Sequence, residues 1–398
     1  MDFTPTEEQQ AARELAARIF GDLATHERLT AAGTDTDAEL WKALCAAGLP
    51  ESVEETGLLG LVLLAEEQGR TTAQVPFTVS CVYGLLAVAR HGTEDQRARL
   101  LPGLRDGTTV VTGAFPAVAG TGAVRVDAEG RLTGALDRVP WLRDATHVLV
   151  PAEDRTLWLV RTADAARPVE PVDLTAPWSA GRLTLDGVRG ERLGERLGER
   201  LGERLGERAG SLDGRPSDGS HGSPSGRPAD GSHVSPSGRP AGGSSHGTPY
   251  ADVLAAARIA FAGLQAGVCA GSLARAVAYT SEREQFGRPL SSHQAVQLRA
   301  ADAHMDTESI RVTAYEAAWR HDEGLPVGEH ALTAAWWAAE AGRRVVHAGQ
   351  HLHGGLGADL DHPVHRHFLW GRQLDAYLGC GTELLAELGD LLAKGAAA

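Results

Sequence analysis

Two short stretches hold residue types whose spacing can do chemistry: Arg283-Glu-Gln-Phe-Gly-Arg-Pro-Leu290 and Gln350-His-Leu-His-Gly-Gly-Leu-Gly357. An arginine at the end of a long helical pattern can make a bidentate, charge-assisted contact with an anion. Alone, Arg283 would be read as a solvated helix-end charge. Gly354 and Gly355 permit a close backbone approach where any Cβ would clash. His351 and His353 sit in that glycine-rich turn, where an imidazole can act as acid or base. His362, His365 and His367 alternate in a metal-like way. No neighbouring cysteine or second cluster completes a tetrahedral set, so solvated or packing histidines are the better reading. The four cysteines, Cys45, Cys81, Cys269 and Cys380, lie far apart without CxxC spacing. A disulfide framework or zinc site is not expected, and a reducing cytoplasm is the expected location.

The elements that must position these residues follow from periodicity. In the first hundred residues, helical patterns run over Thr6–Leu23, Asp37–Ala47, Leu58–Gly69, Val75–His91 and Asp95–Leu104. Short alternating or β-branched runs follow at 110–114, 123–126, 131–136, 147–151, 157–161 and 182–185, the pattern of a small antiparallel barrel or sandwich. Next comes a low-complexity insert in which Gly-Glu-Arg-Leu recurs from Gly190 to Arg208, and a Pro/Gly/Ser/His unit recurs after Gly214. Its composition cannot bury enough apolar surface to order itself. His221, His233 and His246 within it read as incidental rather than metal-binding. Long helical patterns return at 250–283, 292–321, 328–352 and 369–392, an antiparallel bundle. The expected division is a helical domain over 1–109, a middle β-barrel domain over 110–189, a disordered insert over 190–248 and a C-terminal four-helix bundle over 249–398.

Bulk properties narrow the function. The formal charge of −14 argues against nucleic acid as a partner, which needs a concentrated basic face. A few local arginines still suffice for a phosphorylated cofactor. The N-terminus has no signal-peptide pattern, and no apolar run is expected to approach the roughly 20 residues that cross a bilayer. Membrane insertion is not expected.

In order and spacing, these stretches resemble the acyl-CoA dehydrogenase family. Gly48-Leu-Pro-Glu51, Glu66-Glu-Gln-Gly-Arg70 with Pro76, and Gly92-Thr-Glu-Asp-Gln96 match the N-terminal cadence, and Leu132–Val139 leading to Ala145–Ala152 matches its β strands. Tyr279–Pro289 with His293-Gln294, and Gln350–Gly357 with Pro363 and Arg366, complete the match. The resemblance implies FAD, with the arginine motif of one chain and the glycine motif of another gripping one flavin. It places Arg283, Phe286, Gln294, Gln350, Gly354, Gly355 and Thr382 at the cofactor, and gives His353 a structural role.

The family removes a substrate α-proton with a carboxylate, since an acyl α-carbon is a weak acid. At the two positions where the family keeps that base, this chain has Cys380 and Ala257. Asp375 and Glu383 lie at the wrong offset, and Asp252 is about 140° from Ala257 around the helix. Cys380 has no evident activating cation and reads as a small packing residue. The family's acidic segment near the flavin is replaced by Gly113-Ala-Phe-Pro116.

Within the family, the run from His351 to Arg366 and the base-less Tyr377-Leu-Gly379 look like one subunit of heteromeric steroid-catabolism dehydrogenases. The resemblance therefore implies a heterotetramer whose homologous partner subunit supplies the carboxylate. The substrate would be an acyl thioester of CoA or a carrier protein, with electrons passing to a further acceptor. Two other readings stand beside it: a non-catalytic scaffold, and a flavin-dependent N-hydroxylating monooxygenase on the same fold.

Overall fold

The computed structural model describes residues 2–115, 124–194 and 248–396. Pro116, Ala123, nearly all of the repeat insert and its three histidines lie outside the described residues. Helix α1 (Glu7–Leu23) opens on a capping box in which Thr6 and Gln9 satisfy each other's backbone N–H groups. Helices α2 (His26–Ala32), which the periodicity does not reveal, and α3 (Ala38–Ala46) precede α4 (Leu49–Thr71). Helix α4 kinks at Gly57, φ 73°. There, Asp322 from far along the chain accepts the N–H groups of Leu58 and Leu59 at 2.8 and 2.9 Å, a helix cap supplied in trans. A Cβ on Gly57 would lie 2.7 Å from that carboxylate.

Helix α5 (Phe77–His91) is π-helical over Ser80–Leu86. Such bulges occur most often at functional sites. Helix α6 (Glu94–Asp106) has its own capping box at Thr93 and Gln96.

The β region forms two open four-stranded sheets, correcting the expected antiparallel barrel. The strands are β1 (Val111–Gly113), β2 (Arg125–Val126), β3 (Arg131–Val139), β4 (His147–Pro151), β5 (Leu157–Arg161), β6 (Glu170–Pro171), β7 (Gly181–Arg189) and β8 (Glu191–Arg192). Their orders are β1-β4-β5-β8 and β2-β3-β7-β6, and β1 runs parallel to β4. The edge strands β2, β6 and β8 are two residues long, too short to carry a ladder around a closed wall, and Pro171 cannot donate to one. Alternate residues such as Leu132, Leu136, Val148, Val160, Leu183 and Leu185 fill the space between the sheets.

The C-terminal half is built on α7 (Pro249–Glu282), α8 (Gln294–Asp322) and α9 (Gly328–Leu352). The expected fourth helix at 369–392 is two helices, α10 (Val364–Tyr377) and α11 (Gly381–Ala396). Gly379 between them has φ 119°, a backbone state that favours glycine. Among the described residues α7 alone is long and apolar enough to span a membrane. This departs from the sequence expectation, but its apolar window is 89% buried inside the protein, the environment of a core helix. Helices α4 and α7 touch backbone to backbone at Gly69 and Gly267, where a Cβ would strike a carbonyl oxygen of the facing helix. Arg13, Arg70, Arg311 and Tyr315 converge on the fully buried Glu66, tying the N-terminal helices to the bundle.

Candidate functional site

Helix α7 ends where Arg283 leaves helical geometry, its N–H still donating to Tyr279 O. A hairpin of β9 (Glu284–Gln285) and β10 (Arg288–Pro289) follows. Its two turn residues, Phe286 and Gly287, both have positive φ, 56° and 75°, as a type I′ turn requires. A bulky side chain is disfavoured there, yet Phe286 occupies the position and is 89% exposed. Arg283 and Gln294, the first residue of α8, are also exposed. Among the described residues no hydrogen bond or ion pair engages the Arg283 guanidinium. Arg288 is held, donating to His293 Nδ1 at 3.1 Å.

The glycine turn stands beside this hairpin. His353 caps α9 and stacks on Tyr279, one helical turn before Arg283, with ring centroids 4.9 Å apart. Its Nδ1–H donates to Gly349 O at 2.7 Å, so the imidazole is engaged on a face and at one nitrogen. Gln350 Nε2 donates to Gly357 O at 3.2 Å, closing the short 3-10 turn over Gly354–Ala358. Gly354 has φ 61°, and the space a Cβ would enter at Gly354 or Gly355 is open to 4 Å. Packing within the chain leaves that space free. The exposed, unpaired guanidinium, the exposed aromatic ring and the open glycine turn thus share one edge of a single chain, whereas the resemblance implies that the two motifs at one flavin come from different chains; together they fit the pyrophosphate and adenine end of a dinucleotide.

The other expected positions lie elsewhere. Ala257 is fully buried in α7, 26 residues and therefore about 39 Å along the helix from Arg283. One turn beyond Ala257, Phe261 meets Tyr377, three residues before Cys380, with ring centroids at 4.7 Å. Tyr83 from the π-helical turn joins them, its hydroxyl 3.4 Å from that of Tyr377. Phe115 stacks on Tyr83 at 5.1 Å and on Tyr250 at 5.8 Å. Burial raises the pKa of both Tyr83 and Tyr377, so the two phenols stay protonated. The space between the two family base positions is therefore walled by aromatic side chains.

Cys380 Sγ lies 3.3 Å from the Thr382 hydroxyl. Glu383 accepts the Cys380 N–H at 3.2 Å and so caps α11. Thr382 is exposed, while a Cβ on Gly381 would collide with Glu340. Asp375 is held up by burial, with Arg372 Nη1 at 2.6 Å opposing that shift. Asp252 is buried against His91, Arg90 and His321. Among the described residues, none of these carboxylates stands at either position where the resemblance places a base.

The alternating histidines are each engaged in local structure. His365 Nδ1–H donates to His362 O, and His362 Nδ1 accepts from Val364 N–H. His367 donates to Arg70 O, with burial pushing its pKa down to about 4. Among the described residues no set of three potential ligands gathers around a metal position.

Sequence reasoning missed the aromatic group. The signal for part of it is spacing: Phe261 follows Ala257 by four residues on one helix, one turn away on the same face. It also missed Trp141 and Trp178, which stack at 4.6 Å, and Trp370 of α10, which meets both edge-on. Their three buried indole N–H groups have no partner among the described residues, leaving room in the hydrogen bonding for an ordered water or a ligand acceptor.

A helical N-terminal part, a two-sheet middle and a helical bundle carrying an open arginine–glycine edge are the architecture of a flavin-dependent oxidoreductase. The acyl-CoA dehydrogenase N-terminal domain family matches residues 6–108 and the acyl-CoA dehydrogenase C-terminal domain family matches residues 247–387. Acyl-CoA dehydrogenase FadE27 of Mycobacterium tuberculosis is 32% identical, with 99% of each chain covered. The solved structure of a Tcur3481-Tcur3483 steroid ACAD variant is 37% identical, with TM-score 0.80 over 98% of this chain and 99% of that one. The ChsE4-ChsE5 complex from Mycobacterium tuberculosis is 30% identical, with TM-score 0.80 and 99% of each chain covered. The chain belongs to the acyl-CoA dehydrogenase family, a family of flavoprotein oxidoreductases with FAD as cofactor.

Proposed function

We propose that this chain is the subunit without a catalytic carboxylate in a heteromeric acyl-CoA dehydrogenase. It would share each flavin with a homologous partner that supplies the base. The observation that carries this reading is a kept arginine–glycine edge in a chain with Ala257 and Cys380 at the two positions where the resemblance places the base. Arg283 and Ala257 stand about 39 Å apart, longer than one extended cofactor. The open arginine–glycine edge therefore serves a flavin whose reactive ring lies in another chain. The aromatic wall between Ala257 and Cys380 supports the same assignment, because it occupies the space an acyl chain would need here.

The roles follow from chemistry. When bound, FAD supplies the hydride acceptor. Arg283 would bind the pyrophosphate by charge-assisted hydrogen bonds. Gly354 and Gly355 would let backbone N–H groups approach it, while Phe286 and Gln294 would flank the adenine end. Gln350 holds the glycine turn in shape, and Thr382 stands at the start of α11. Both heteromeric structural relatives support a partner subunit. One of them being a steroid ACAD supports a steroid-derived acyl thioester as the substrate class. The division into residues 1–109, 110–189, 190–248 and 249–398 is part of the same proposal.

Flavin stoichiometry tests it. The chain is purified alone and with a homologous partner subunit, and flavin absorbance is read together with enoyl-thioester formation. The expected result is one flavin per heterodimer and activity only in the complex. A full complement of flavin and dehydrogenation by the lone chain would overturn it.

A further inference from the structure

Away from the flavin edge, a cavity of about 300 Å³ opens between α6 and one face of the first sheet. Register explains its lining. His147 on β4 is directly opposite Arg161 on β5, and Leu159 is opposite Glu191 on β8, so all four share that face. Arg99 and Leu100 come from α6, and Arg189 comes from the end of β7. Leu100 and Leu159 are buried and form an apolar floor.

The pairing of charges at the cavity is uneven. Arg99 is committed to Glu191 at 2.6 Å and to Asp95 at 3.0 Å. Among the described residues Arg161 and Arg189 have neither a hydrogen bond nor an ion pair from their guanidinium groups. Asp164 stands exposed at the mouth. Arg99 thus holds two of the three nearby carboxylates, Asp95 and Glu191, while Arg161 and Arg189 are left without a partner among the described residues. The cross-strand partner of Arg161 is His147, which cannot neutralise it and when protonated adds a like charge directly opposite, an unfavourable pair without an anion between them.

Hydrogen bonding also fixes the His147 tautomer. The Thr146 hydroxyl donates to Val110 O at 3.0 Å, so its oxygen accepts at 2.9 Å from His147 Nδ1–H. The proton that comes and goes is then on Nε2. Burial first, and Arg161 next, push the pKa of this imidazole down, leaving it neutral at pH 7 until an anion arrives.

We infer that this cavity binds a phosphoryl group, held by Arg161 and Arg189 with His147 as a third donor once protonated. A free phosphate and the phosphate of a nucleotide share that chemistry. A cavity of this volume lies at the small end of ligand sites, so it would admit the phosphoryl group and leave any attached nucleoside outside.

The test is isothermal titration of the full-length protein with inorganic phosphate, AMP and sulfate. Saturable binding is expected, with affinity falling at least tenfold in the Arg161→Gln/Arg189→Gln double variant and flavin content unchanged. Sulfate stays a dianion between pH 6 and 8, so it isolates the imidazole proton. Its affinity should rise toward pH 6, and His147→Gln should remove that rise while leaving binding. Equal affinity for phosphate and AMP supports the free anion, and tighter AMP binding supports a nucleotide ligand. Absence of saturable binding, or binding unaffected by the double variant, overturns the inference.

Discussion

The two ends of helix α7 present opposite environments. Around Ala257 the helix is buried from Ala255 to Val268, and Phe261, Tyr83 and Tyr377 bring rings together one turn away. Around Arg283 the chain from Glu282 to Arg288 is exposed, and the glycine turn beside it is open. Helix packing accounts for the change. The first two turns lie against α5, and the middle is clamped against α4 by glycine contacts, whereas the last turns pass beyond the core. In the proposed assembly one helix therefore contributes bulk at one end and cofactor grip at the other. On that proposal a subunit can lose its carboxylate and keep its cofactor edge, because the two would occupy separate ends of one helix.

The largest effect should come from restoring the carboxylate. Ala257→Glu would put a charge into a fully buried position one helical turn from Phe261. The expected cost is about 3 kcal/mol or more, read from urea denaturation, without dehydrogenase activity in the lone chain. A stable variant that forms enoyl product would break the comparison, because the Ala257 end would then have room for an acyl chain.

The opposite end should respond in binding rather than stability. Removing Arg283 deletes charge-assisted hydrogen bonds worth about 1.5–3 kcal/mol, so Arg283→Ala should weaken flavin retention in the complex roughly tenfold to a hundredfold. The melting temperature of flavin-free protein should not change, since no contact within the chain is lost. Unchanged flavin retention would detach the arginine motif from the cofactor.

How far the sequence reveals this contrast depends on the kind of interaction. The arginine and glycine stretches are legible because each is continuous, and turn chemistry at Gly287 and Gly354 is local. Strands β4 and β5 are legible in full, since alternation over 147–151 and 157–161 is also local. The open sheets are not, because parallel pairing of β1 with β4 joins segments far apart and edge closure depends on strand length. The split of the last helix at Gly379 is hidden by apolar residues on both sides. The aromatic wall combines Tyr83, Phe115, Phe261 and Tyr377 from four elements, so only packing brings them together. The cap that Asp322 places on α4 is non-local in the same way.

Deleting the repeat insert should leave both ends of α7 untouched. Its two junctions meet at His91: a Cβ on Gly194 would lie 3.1 Å from His91 O, and Asp252 Oδ2 is 2.6 Å from His91 Nε2. Thr248 is only one helical turn before Asp252, so about six residues of glycine and serine can join 194 to 248. Shortening the connection about eightfold should stabilise the fold by at most about 2 kcal/mol. Flavin stoichiometry in the complex should remain the same. A loss of flavin on deletion would mean that the contrast between the ends of α7 omits a third contributor.

The smallest effect is a slope in pH, set by the charged node at the start of α7. Burial opposes the charged form of Asp252, but hydrogen bonds from His321 and His91, and the nearby Arg90, outweigh it and hold the carboxyl well below its usual range. Burial likewise opposes protonated His321, and Asp252 and Asp322 outweigh it, raising its pKa. The Asp252 contribution is present above about pH 3.9 and is lost as pH falls. The His321 contribution is complete below about pH 6.5 and is lost as pH rises through the raised folded value. Urea midpoints should therefore decline on the alkaline side of neutrality, and His321→Gln should flatten that decline while lowering stability near pH 6. Flavin retention should not follow the same slope, because Arg283 stands at the other end of the helix. Parallel pH profiles for stability and flavin retention would show that the two ends are coupled through α7.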